Sequence, residues 1–219
     1  MPKAHRVVVE VTVVFSVVLG LCKVLDGLRD VPWIARHDVV ALGAAALFLY
    51  VPLLMLKATG VRPEEFGITS RGLGTSIWTA LGFAALFVPA FFLFYGAYRT
   101  LWLGAPFRLA FPRGWPLLLA YHLFCVALPE EVFYRGYVQS RLNGAMPRRI
   151  RLFSTPLGFG WFYAAFLFAL GHFIMVHRLE RWATFLPGLV FGWMRERTGG
   201  IAAPTLFHAL CNAAVLFVT

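Results

Sequence analysis

Long apolar runs alternate along the chain with short polar connections. The runs extend from Val7 to Leu25, Val39 to Leu56, Thr75 to Leu103, Trp115 to Val138, Leu157 to Val176 and Gly200 to Val218, with a shorter one from Trp182 to Met194. A hydrocarbon core of ~30 Å takes ~20 helical residues to cross. At ~1.5 Å per residue the short run falls below that length, so it must tilt, borrow flanking residues or re-enter. The pattern predicts about seven membrane segments, with six and eight as its bounds. Lipid offers no water to satisfy open backbone groups, and these runs are too long and too evenly apolar for the alternating strands of a barrel. The expected fold class is all-α, a polytopic transmembrane helical bundle, built as a single integral-membrane domain over residues 1–219.

Composition agrees: 60% of the 219 residues are hydrophobic, 14% are charged, and the mean hydropathy is +0.74. Lys3 and Arg6 precede the first run as they would in a signal peptide. Glu10 interrupts that run and no small-residue cleavage site follows, so a retained first helix is expected. The net charge of +10 is spread over short connections, without the surface that nucleic acid needs, and anionic lipid is the expected counter-charge. With alternating spans, twelve Lys and Arg, counting Arg135, fall on the side of the N-terminus and eight on the other. That bias points to a cytoplasmic N-terminus. The densest basic cluster, "MPRRIR" from Met146 to Arg151, then lies at the cytoplasmic interface. Three scattered cysteines, Cys22, Cys125 and Cys211, show neither disulfide nor metal spacing and are read as small packing residues.

Against this background the stretch "CVALPEEVFYRGYVQSRL" stands out, because ionisable side chains at mid-membrane each cost at least ~2.5 to 3.5 kcal/mol. Glu131 and Arg135 are four apart with the acid first, the favoured order for an intrahelical pair. Glu130 points ~100° away around the turn and has no local partner. Pro129 removes the N–H that would bond the carbonyl of Cys125 and opens the helix beside Glu130. The pair in "VRPEEFGITS" serves as a control: Glu64 and Glu65 lie in a polar connection beside Pro63 and Gly67 and are simply solvated.

His172 lies inside the fifth run, and His208 and Asn212 share one face of the last, four residues apart. His122, eight residues before Glu130, is the rival histidine. Membrane histidines often serve only as hydrogen-bond partners in helix packing. An unpaired Glu with two His and an Asn on three helices can nevertheless accept, donate and hold protons. No GxSxG or HExxH occurs, and no cysteine is flanked as a thiolate would be. Gly188 and Gly192 form a GxxxG in the short run, read as a close helix contact.

"EEVFYR" (Glu130 to Arg135), "FALGH" (Phe168 to His172) and "HALCN" (His208 to Asn212) resemble, in order and internal spacing, the EExxxR, FxxxH and HxxxN motifs of the CPBP family, the CAAX prenyl-protein endopeptidases and their bacterial relatives. The resemblance covers about residues 115–219, the expected catalytic core. It implies an intramembrane glutamic endopeptidase in which Glu130 and His172 activate water while His208 and Asn212 hold the oxyanion, with Glu131 and Arg135 supporting them. It implies no cofactor, and a membrane-associated protein or peptide as substrate: prenylated, bacteriocin-like, or bearing a C-terminal sorting tail.

Two other readings stay open from sequence. Glu130, His172 and His208 could form a His₂Glu zinc set, making the chain a zinc-dependent metalloprotease. Alternatively, the polar cluster could belong to a non-enzymatic membrane scaffold or immunity protein. A transporter is disfavoured by the short chain and the lack of an internal repeat. The alanine- and arginine-rich composition without extra domains points to a bacterial inner membrane.

Overall fold

The computed structural model describes residues 3–147 and 149–218. Helices dominate: α1 (Lys3–Asp26), α2 (Val39–Thr59), α3 (Leu73–Trp102), α4 (Trp115–Ala145), α5 (Phe159–Val176), α6 (Phe185–Thr198) and α7 (Ala202–Leu216). The all-α membrane bundle is therefore as expected. Five helices, α1 to α5, are long and apolar enough to span a bilayer, whereas α6 and α7 have 14 and 15 residues. The last apolar run is thus shortened to the length class of the sixth, because "TGGI" occupies its start and the chain leaves the helix at Phe217.

One element was not foreseen. Between α4 and α5 the chain makes a two-stranded antiparallel hairpin, β1 (Arg149–Leu152) and β2 (Thr155–Gly158), turning at Phe153 and Ser154, both with positive φ. Pro156 pairs with Arg151, a position that needs no donated N–H, which is where a strand tolerates proline. The basic stretch read as an interfacial cluster therefore runs into β1.

Helix α4 is the axis of the bundle. Its residues Val132–Gln139 are all buried, enclosed by α1 through Phe15 on Tyr134, by α2 through Phe48 on Phe133 and by α5 through Phe168 on Tyr134. Two stretches, His122–Ala127 and Val132–Gln139, are wound as π-helix. Such turns are rare and concentrate at functional sites. They flank Pro129, whose missing N–H removes one rung of the ladder. Gly136 lets the turn Pro63–Phe66 press in, since a Cβ there would stand 3.2 Å from the Phe66 carbonyl. Phe66 itself is buried on Tyr137 while Glu64 and Glu65 are exposed, as expected of that control segment.

Polar contacts mark the two ends of the bundle. At one, Arg141 pairs with Glu10 at 2.6 Å, Arg195 donates to the Glu65 carbonyl, and the Ile201 N–H bonds the Gly67 carbonyl. At the other, Lys23 reaches the Met175 carbonyl and Leu109 bridges Val218.

Candidate active site

Glu131 and Arg135 form the predicted pair, Oε2 to Nε 3.1 Å, with both side chains 0% exposed. The rest of their environment comes from other helices. The Arg135 guanidinium donates to the Gly188 carbonyl at 3.1 Å and lies between the rings of Phe168 and Phe191, 4.7 and 5.2 Å from their centroids. Aromatic faces are a favourable setting for a desolvated cation. The second oxygen of Glu131, Oε1, accepts from Nδ1 of His208 on α7 at 3.0 Å. His208 also stacks on Phe191 at 4.8 Å between centroids. One carboxylate thus ties a cation on its own helix to a histidine 77 residues away.

Glu130 faces elsewhere. Its side chain is 19% exposed, and its Oε2 is buried without a hydrogen-bond partner among the described residues. Nε2 of His208 stands 3.9 Å from that oxygen, too far for a direct hydrogen bond but near enough for one water to touch both. Glu130 lines a cavity of about 190 Å³ with Pro129, Tyr121, Cys125 and the small residues Ala41 and Ala44 of α2. The opening expected beside Pro129 is therefore present, and α2 leaves it room by presenting alanines.

His172 joins this group through Phe168. Its Nδ1 donates to the Phe168 carbonyl at 2.9 Å and its ring lies 4.4 Å from the Phe168 ring, which in turn is 5.8 Å from His208. Phe168 therefore touches Arg135, His172 and His208 together, a physical reason for an aromatic at the head of "FALGH". Asn212 sits one turn beyond His208 on α7, half-buried. His122 is half-buried, and its Nδ1 has no hydrogen-bond partner among the described residues. The structure thus gathers Glu130, Glu131, Arg135 and His208 in direct contact range, with His172 one ring away. Among the described residues no three His, Cys, Asp or Glu side chains are grouped as a metal ion would need, so Glu130, His172 and His208 do not fit a zinc site as they stand.

The close helix contact expected at Gly188 and Gly192 is present; the buried polar series that meets it was not foreseen from the sequence. Glu131, Arg135, Gln139 and Asn143 are four apart along α4, and all are buried. They meet Gly188, Gly192 and Glu196, four apart along α6: Arg135 donates to the Gly188 carbonyl, Gln139 to the Gly192 carbonyl and Glu196, and Asn143 to Glu196, the last three bonds at 2.9 Å. Gly192 is glycine because a Cβ there would stand 2.7 Å from both the Gln139 Oε1 and the Trp161 ring. The i, i+4 polar series was the available signal. Phe191, the other wall of the cage, had none beyond its place in an apolar run.

Comparison with known proteins bears on the same segment. No curated protein and no solved structure matches the chain. Residues 112–214, from the turn before α4 into α7, match the family model described as "Type II CAAX prenyl endopeptidase Rce1-like". All three motifs lie within that match, which covers just under half of the chain, and this segment is similar to that family of CAAX-type endopeptidases.

Proposed function

We propose that this protein cleaves a peptide bond of a membrane-associated protein or peptide with water activated by Glu130 and His172. The observation that carries the reading is the unpartnered Glu130 oxygen in a small cavity, with Nε2 of His208 3.9 Å away. Glu130 takes a proton from water, the oxygen attacks the scissile carbonyl, and the proton passes to the departing amine. His172, its Nδ1–H engaged by the Phe168 carbonyl, keeps Nε2 as an acceptor and shares that proton. Glu131 accepts Nδ1–H of His208, which fixes the orientation of the imidazole and points Nε2 toward the Glu130 side of the site. Asn212 supplies a further donor from the same helix. Glu131 and Arg135 hold His208 in place.

The catalytic core is placed in residues 115–219. Prenylated proteins, bacteriocin-like peptides and C-terminal sorting tails are the candidate substrates. Because the basic residues gather at the end of the bundle where Arg141 meets Glu10, that end is assigned to the cytoplasm, in a bacterial inner membrane. The test is single-turnover cleavage of a prenylated CAAX reporter peptide, a bacteriocin-like leader peptide and a sorting-tail peptide by protein in liposomes. Glu130→Gln should remain folded and inserted and lose cleavage; wild-type turnover by it ends this reading. Activity should also persist through extended chelation, whereas loss with rescue by Zn²⁺ would shift the assignment to a metalloprotease.

A further inference from the structure

A second concavity lies away from the Glu130 cavity, between α3 and α6. Its wider part, about 860 Å³, is bordered by Phe87 and Phe91 of α3, Leu186 and Val190 of α6 and the hairpin tip Phe153, with no charged residue in its lining. A narrower part of about 390 Å³ is bordered by Trp78 and Leu86 of α3 and by Arg197 of α6. Phe83 and Trp193, whose rings pack 5.4 Å apart, border both, so the two parts adjoin across these rings.

The groove is polar at one end only. Arg197 lines that end, in the last turn of α6. Arg71 stands immediately before α3, whose start meets the end of α6: a Cβ on Gly72 would lie 3.8 Å from the Thr198 carbonyl. Trp78 is 76% exposed at the same level, the position where tryptophan marks the boundary between headgroups and hydrocarbon. From Trp78 to Phe91 along α3 is ~20 Å, which reaches past the ~15 Å depth of one leaflet.

From Arg197 in the narrow part, Arg71 at the adjoining start of α3 and the apolar concavity next to them, we infer that this face binds an anionic diacyl phospholipid. Its phosphate sits between Arg71 and Arg197, and its chains lie along Phe83, Phe87 and Phe91. A zwitterionic headgroup brings its own cation into the arginine corner and binds more weakly. The wide part of the groove also borders Cys211 and Ala214, on either side of Asn212 on α7, so the lipid fills the space behind the helix that carries His208.

Full-length protein in neutral detergent, incubated with equimolar phosphatidylglycerol and phosphatidylcholine and examined by native mass spectrometry, tests this directly. Retained lipid should be predominantly phosphatidylglycerol. Arg71→Gln and Arg197→Gln, both at exposed positions, should each weaken its retention ~5-fold, the effect of ~1 kcal/mol per interfacial arginine. Val190→Trp, intruding into the wide part, should weaken retention while the melting temperature stays within a few degrees. Equal retention of the two lipids overturns the inference, as do arginine variants that bind like wild type. Displacement of phosphatidylglycerol by a farnesylated peptide, one for one, also overturns it by assigning the groove to a substrate chain.

Discussion

His208 donates from Nδ1 to Oε1 of Glu131 across 3.0 Å, inside a cage where Arg135 stands 3.1 Å from Oε2 of the same carboxylate. The two halves of the EE pair are thereby given different tasks by geometry. Glu131 has Arg135 beside one oxygen and His208 on the other; Glu130 has no hydrogen-bond partner at its buried Oε2 among the described residues.

Removing Arg135 should therefore be a stability change before it is a catalytic one. Arg135→Ala leaves Glu131 and the Gly188 carbonyl buried and short of a partner, a loss of ~3 to 5 kcal/mol for a broken buried pair. Thermal melting in detergent should show a large drop, or expression should fail. Replacing both members with leucine should recover much of that stability while cleavage stays lost, because His208 then has nothing to orient it. Recovery of turnover in the double variant would show that Glu131 is not the anchor.

Asn212→Ala is expected to behave in the opposite way. Its side chain is half-buried and makes no hydrogen bond among the described residues, so folding should be unaffected. Losing one oxyanion donor costs ~10²- to 10³-fold in rate, read as single-turnover cleavage at wild-type melting temperature. A variant that melts early and cleaves normally would make Asn212 a structural residue and remove it from the oxyanion site.

The contact between α4 and α6 predicts a steric effect at a residue with no chemistry. Gly192→Val puts methyl groups where Gln139 and Trp161 already stand, forces the helices apart and breaks the Gln139 bond to the Gly192 carbonyl. Overpacking of this kind costs ~1 to 3 kcal/mol. Gln139→Leu should cost about as much by leaving the Gly192 carbonyl and Glu196 underbonded, ~1 to 3 kcal/mol. Melting temperatures of the two variants and of their combination are the measurement. The combination should be less than additive, since both act through one contact.

Phe168→Leu should lower activity more than stability. The volume change is modest, but the ring that touches Arg135, His172 and His208 is lost. A kcat reduced at least ~10-fold with KM nearly unchanged would mark a positioning role; unchanged kcat would reduce Phe168 to packing.

The solvent, the helical class and the pairing of Glu131 with Arg135 were legible along the chain. Each of these depends only on local chain properties: run length, apolar content, and the i, i+4 spacing that places two side chains on one face of their own helix. The control pair Glu64 and Glu65 was legible for the same reason, since a proline and a glycine beside them mark a turn. Motif order also pointed to His172, His208 and Asn212 as members of one site. Packing between helices is what assigns His208 to Glu131 rather than Glu130, brings Phe191 into the cage, and engages α4 with α6 at a constant offset of 53 residues. Spacing along one helix cannot reveal that offset, because the acceptors on α6 include backbone carbonyls of Gly188 and Gly192, which every residue possesses. What selects them is the absence of a side chain, which allows two helices to approach until a buried arginine and glutamine reach the main chain.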